Sequence, residues 1–171
     1  MKLIEGLKKL KDLERKADDL RKLVKDNCAI SSLETPKYGK EQNAKISEWI
    51  QAHSDILREI LKLRIQIQKT NLITSVTIEL NEKPVTKTLA EWIHRRRNLA
   101  QEELTMWKGI GDRGIKEEKV RLPGDSIQEV KIVRFYSPET RDKMVDVYIS
   151  EPSIIDSRLE VVNAVTEIIE K

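Results

Sequence analysis

Between Ile46 and Ile67 the chain carries a strict apolar seam. Ile46, Trp49, His53, Ile56, Ile60, Leu63 and Ile67 recur at alternating spacings of three and four residues. A repeat of this kind, sustained over three heptads, specifies a helix whose apolar edge must meet another helix. The mate lies upstream. Leu3, Leu7, Leu10, Leu13, Ala17, Leu20 and Val24 follow nearly the same rhythm, so helices are expected over about 3–25 and 41–69. Asn27, Ser31, Ser32, Pro36 and Gly39 break the pattern between them, and two helices so joined fold back antiparallel. Ile50, Leu57, Leu61 and Ile65 fall outside the seam and widen the second stripe beyond what one partner helix covers.

At Thr70-Asn71 the period changes. Residues 73–80 are rich in β-branched side chains, Asn81-Glu82-Lys83 supplies a turn and Pro84-Val85-Thr86 returns, so a short hairpin is expected over about 73–87. Thr88-Leu89-Ala90-Glu91 has the spacing of a capping box and opens a third helix. That helix carries Leu89, Ile93, Ala100, Leu104 and Trp107 on one face and ends at Gly109, Gly111 and Gly114. A second hairpin is expected over about 118–136, turning at Pro123-Gly124-Asp125-Ser126. Ser137-Pro138 begins a short helix to about Ile149. Ser150-Glu151-Pro152 then restarts a last one, striped by Ile155, Leu159, Val162, Val165 and Ile169. The fold class is mainly α: a long antiparallel helical hairpin completed into a bundle, with two short β-hairpins. The chain is taken as a single domain over 1–171. Its segments are the helical hairpin (1–72), hairpin plus helix (73–108), Gly-rich loop and second hairpin (109–136), and C-terminal helices (137–171).

Charged residues make up 36% of the chain and hydrophobic ones 39%, which suits amphipathic helices and excludes intrinsic disorder. The charge is unevenly placed. Residues 1–72 hold 16 Lys/Arg and 11 Asp/Glu, a net +5, whereas residues 137–171 hold 4 and 8, a net −4. Opposed ends of this kind can attract within a chain or between copies. With aromatic residues at 4% there is no stacking platform, so nucleic acid is not an expected partner. Cys28 is the only cysteine, which excludes an internal disulfide. No stretch has the length of a membrane span and no leader is visible, so the expected location is cytoplasmic, with no membrane partner.

Chemistry-bearing residues are few. With two histidines and one cysteine, no ligand spacing for a metal and no nucleophile–base pair stands out; neither a metal site nor a cofactor is expected, nor catalysis. The densest constellation is Trp92-Ile93-His94-Arg95-Arg96-Arg97. Arg96 falls near the line of Leu89, Ile93 and Ala100, the inward side, where a guanidinium needs a carboxylate or an anionic ligand. An internal ion pair with Glu103 or an acid of the last helix satisfies it. So does a small anion such as a nucleotide, held by Trp92, Arg96, Arg97, Asp112 and Arg113. Arg134, Tyr136, Arg141 and Asp142 gather at a helix start, where Arg141 and Asp142 are expected to pair locally. Ile50, His53, Leu57 and Leu61 form the surface left for an oligomer, with His53 a polar point that can set register.

The opening Met1-Lys2-Leu3 helix, Asn27 at its end, the run Ile67-Gln68-Lys69-Thr70-Asn71-Leu72-Ile73-Thr74, the hairpin after it and Thr88-Leu89-Ala90 with Arg96 together resemble the septicolysin-like family of small bacterial proteins. The similarity covers about residues 1–105. It implies a helical hairpin, a TN-x-x-T segment, a β-hairpin and further helices, and it brings no activity with it. The Gly-rich stretch and second hairpin at 109–136 depart from that pattern. The family name suggests a lysin, but short hairpins and core-like helices do not match a membrane-active surface. The expectation is a non-enzymatic, self-assembling helical interaction protein that forms a homo-oligomer. The alternative is an oligomeric module that sequesters the small anion described above.

Overall fold

The computed structural model describes every residue except Leu122, Asp125 and Lys171. It is mainly helical. Helix α1 (Leu3–Asn27) starts where the Glu5 carboxylate accepts the Lys2 backbone N–H at 2.8 Å, and closes where Asn27 Nδ2 donates to Leu23 O at 2.8 Å. A connection containing one 3₁₀ turn (Gly39–Glu41) leads to α2 (Gln42–Ile73). The pair is antiparallel: Gln42 Nε2 reaches Asn27 O at 2.7 Å at one end, and Arg64 meets Glu14 at 2.6 Å further along.

Helix α2 runs four residues past the expected end at Lys69, through Thr70-Asn71. The polar Thr70 does not break it because its hydroxyl is satisfied twice, donating to Gln66 O at 2.8 Å and accepting the Ile169 N–H at 3.1 Å. Thr70 is fully buried as a result.

Strands β1 (Ser75–Leu80) and β2 (Lys83–Thr88) form the first hairpin, close to the expected range. Asn81 and Glu82 both have positive φ (51° and 61°), the two-residue turn whose twist suits a tight hairpin. The third helix is continuous but not uniform: α3 (Leu89–His94), a π turn over Arg95–Leu99, then α4 (Ala100–Gly109). Strands β3 (Glu118–Arg121) and β4 (Ile127–Val130) pair antiparallel, with Lys119 opposite Glu129 and Arg121 opposite Ile127. The second hairpin is therefore shorter than the expected 118–136. Residues 131–136 leave the ladder, and Val133 and Phe135 among them are open to solvent. Of its expected turn, Asp125 lies outside the described residues, as does Leu122 before it.

A single helix α5 (Pro138–Val165) replaces the two helices expected at the C-terminus. Its start is as read, with Ser137 Oγ accepting the Thr140 N–H at 3.2 Å. Pro152 lies inside it. The missing N–H and ring clash of an internal proline typically cost about 3 kcal/mol. The burial of Glu151 and Ile155 on either side offsets that cost by tying the turn down.

Contacts group the chain into two compact units, which cut across the four sequence segments: Met1–Ser75 with Thr88–Ala90 and Leu159–Lys171, and Val76–Lys87 with Glu91–Arg158. In the first, Leu13 and Ala17 of α1, Ile60, Leu63 and Ile67 of α2, and Leu159, Val162 and Ile168 form the core. The segment after α5 lies along the start of α1, with Leu3 N–H donating to Thr166 O at 2.8 Å and Ile168 N–H to Met1 O at 2.9 Å. Gly6 makes room for it; a Cβ there would sit 2.2 Å from Ile168 Cδ1. In the second unit the core is Val76, Ile78, Trp92, Ala100, Leu104 and Ile155.

Candidate functional site

The expected ligand and assembly residues fall into three places. The first is the half of the α1–α2 hairpin nearest its connection. The seam residues Leu20, Val24, Ile46, Trp49 and Ile56 are only half-buried there, and across residues 18–59, a run of 42, none is buried. Two helices alone cover one edge of each other and leave the rest to water. The surplus apolar residues Ile50, Leu57 and Leu61 are 51%, 47% and 60% exposed, joined by Ile65 and Leu72 on the same helix. His53 is half-buried beside them, lining a shallow groove of about 160 Å³ with Arg21, Val24, Ile50 and Ser54.

The second place is a cleft of about 410 Å³ beside the π turn, walled by Leu80, Val85, Lys87, His94, Arg95 and Leu99, with Trp92 and Glu151 at its base. The π turn has a packing cause. Trp92 and Ala100 are both fully buried yet stand eight residues apart, whereas two α-helical turns take about 7.2. One wide turn absorbs the difference. It also changes which arginine faces inward. Arg95, not Arg96, occupies the inner position, with Nε and Nη2 on the two Glu151 oxygens at 2.5 and 3.0 Å. Glu103 lies 3.8 Å from Arg95, and the Tyr148 ring stacks on its guanidinium at 5.4 Å. Glu151 is 3% exposed, and its hydrogen bond holds the Arg95 guanidinium above its ordinary pKa. The expected chemistry, an inward arginine met by Glu103 and an acid of the last helix, is present one residue earlier than expected. Arg96 pairs instead with Asp156 in a more exposed position, and Arg97 is exposed. Trp92 does not present a face to a ligand. It is fully buried and its Nε1–H donates to Val76 O at 2.9 Å.

The third place is the loop after α4. Asp112 accepts two bonds from Arg134, at 2.7 and 2.6 Å, and one from the Tyr136 hydroxyl at 2.9 Å. The sequence named all three residues without pairing them. Arg141 contacts Asp142 at 2.7 Å, as expected, and also donates to Ile110 O at 3.3 Å. Arg113 is exposed in a left-handed backbone (φ 54°). The five residues expected to hold an anion are thus divided: Trp92 in the core, Arg96 with Asp156, Asp112 with Arg134, and Arg97 and Arg113 facing solvent.

The bonds from Arg134 and then Tyr136 lower the Asp112 pKa from 3.8 to about 2. A depressed carboxylate contributes stability above its unfolded pKa and loses it as the pH falls through the folded one. Backbone amides around 110–113 and 134–136 should therefore gain hydrogen-exchange rate as the pH drops from near 4 toward 2, beyond the intrinsic chemical trend. Asp112→Asn should show the fast pattern at every pH. Equal profiles for the two proteins would remove the tether.

Among the described residues no three His, Cys, Asp or Glu side chains are placed to hold a metal ion, and no helix is long and apolar enough to cross a membrane. Residues 10–168 match the model of a family described as "Family of unknown function (DUF6847)". A comparison with curated proteins finds no match. Among solved structures, a functionally unknown conserved protein from Corynebacterium diphtheriae superposes with a TM-score of 0.60 at 19% identity, covering 99% of both chains. That likeness speaks for the fold alone.

Proposed function

The chain belongs to the DUF6847 family, whose description carries no activity, and from that premise we propose that it is a self-assembling helical interaction protein without catalysis of its own. The observation that carries this reading is the 42-residue run over 18–59 in which no residue is fully buried although the α1–α2 seam passes through it. A coiled-coil arm with its seam half open, and with a second row of Ile and Leu outside it, gains most by packing on another helical surface. Each half-exposed Leu or Ile that association covers contributes roughly 1 kcal/mol. Several are needed to exceed the cost of association, and α2 supplies them in one row that starts in the arm and runs beyond it, from Ile50 to Leu72. A cytoplasmic location belongs to the same proposal, since Cys28 is a free, exposed thiol of the kind a reducing compartment preserves. The septicolysin-like resemblance is retained as a proposal about architecture only.

The alternative, a module that sequesters a small anion, has less support. Glu151 and Asp156 already occupy Arg95 and Arg96, so an anion at either would have to displace a carboxylate.

Size-exclusion chromatography with light scattering at micromolar concentration tests the reading. The expected result is an oligomer that both Leu57→Asp and Leu61→Asp convert to monomer, each keeping the cooperative urea unfolding of its cores. A charged side chain at an interface costs more than the lost contact, because it is desolvated without a partner. A monomeric parent protein overturns the proposal.

A further inference from the structure

We propose that the partner is a second copy of this chain and that the two α2 helices meet antiparallel about a two-fold axis at Leu61. This inference rests on the self-assembly reading above. The exposed large apolar residues of α2 between Ile50 and Leu72 are Ile50, Leu57, Leu61, Ile65 and Leu72. Their spacing is a palindrome: Ile50 and Leu72 stand eleven residues either side of Leu61, and Leu57 and Ile65 four. At about 100° per residue the five fall within an arc of roughly 80°, along about 33 Å of helix. Ile73, exposed at the last position of α2, lies roughly 120° round from Leu61 and stands outside the row. A two-fold axis at Leu61 places every member of the row against another member of the same row, the condition for a self-complementary, isologous contact. An unrelated helix would need only an apolar stripe; the palindrome matters only if the partner is the same sequence reversed.

Charge favours the same arrangement. The first half of α2, residues 42–57, carries Lys45 against Glu48 and Asp55, a net −1; residues 58–73 carry Arg58, Lys62, Arg64 and Lys69 against Glu59, a net +3. Antiparallel pairing sets the −1 half against the +3 half. A parallel pair would stack +3 on +3, which like-charge repulsion opposes.

Cysteine cross-linking separates the outcomes. In a Cys28→Ser background, Leu61→Cys should oxidise mainly to covalent dimer. An equal mixture of Ile50→Cys and Leu72→Cys should give a mixed dimer well in excess of what either gives alone, since cysteines bridge only when their Cα atoms lie within about 7 Å. Self-cross-linking of Ile50→Cys as readily as Leu61→Cys means a parallel pair and overturns the inference. A dimer by light scattering that cross-links at none of the three positions means another surface or another occupant, and overturns it too; in both cases self-assembly stands. A monomer by light scattering overturns this inference and the proposed function together.

Discussion

Trp92→Ala should destabilise the protein by about 4 kcal/mol, the largest loss expected from any single truncation. Trp92 has no exposed surface, and its indole N–H is bonded to Val76 O of β1 at 2.9 Å. Truncation empties the centre of the second unit and removes the indole donor from that carbonyl. Trp92→Phe keeps most of the volume and loses the bond, so it should cost about 1–2 kcal/mol. Urea unfolding followed by circular dichroism measures both, and Trp49 and Trp107 remain as fluorescent probes. A loss below about 1 kcal/mol for Trp92→Ala would mean that the site collapses around the gap and that the indole is not what sets the π turn.

Glu151→Ala ranks second, at about 3 kcal/mol. Removing one member of a buried pair strands the other charge, which is the costly half of the exchange. Arg95 is 21% exposed and has Glu103 within 3.8 Å, so it can partly recover, which places the loss at the low end of the range for such pairs. Asp156→Ala removes the more exposed partner of Arg96 and should cost under about 1 kcal/mol. Replacing both members, with Arg95→Met and Glu151→Leu, should restore most of the loss, because apolar groups of similar size remove the need for either charge. If the double variant is no more stable than Glu151→Ala, the pair is not the reason the single change is costly.

The helical hairpin was legible because its information is local. A period of 3.5 over residues 46–67 needs no knowledge of the partner to specify a helix edge, and the surplus Ile50, Leu57 and Leu61 marked an open face that the fold leaves open. The first β-hairpin was legible for the same reason: Asn81-Glu82 adopts the positive φ that the turn requires. The π turn was not legible. It arises because Trp92 and Ala100 dock into one core eight residues apart, a constraint set by what lies opposite the helix rather than by any residue in it. Counting a regular helix across that turn selected Arg96 where the fold selects Arg95. Pro152 misled in the other direction. A proline reads locally as a boundary, but burial of Glu151 and Ile155 carries α5 through it. The Asp112–Arg134–Tyr136 contact joins residues more than twenty positions apart, and sequence spacing carries no trace of such pairings.

An arm in which none of 42 successive residues is fully buried draws little of its order from burial within one molecule. Under the proposed self-assembly, cover from neighbouring copies ties the local folding equilibrium of this arm to mass action. For this part of the chain dilution should then act as a denaturant does. On that proposal, lowering the concentration should loosen the tip of the hairpin, while the core around Ile60, Leu63 and Ile67 and the core around Trp92 should remain closed.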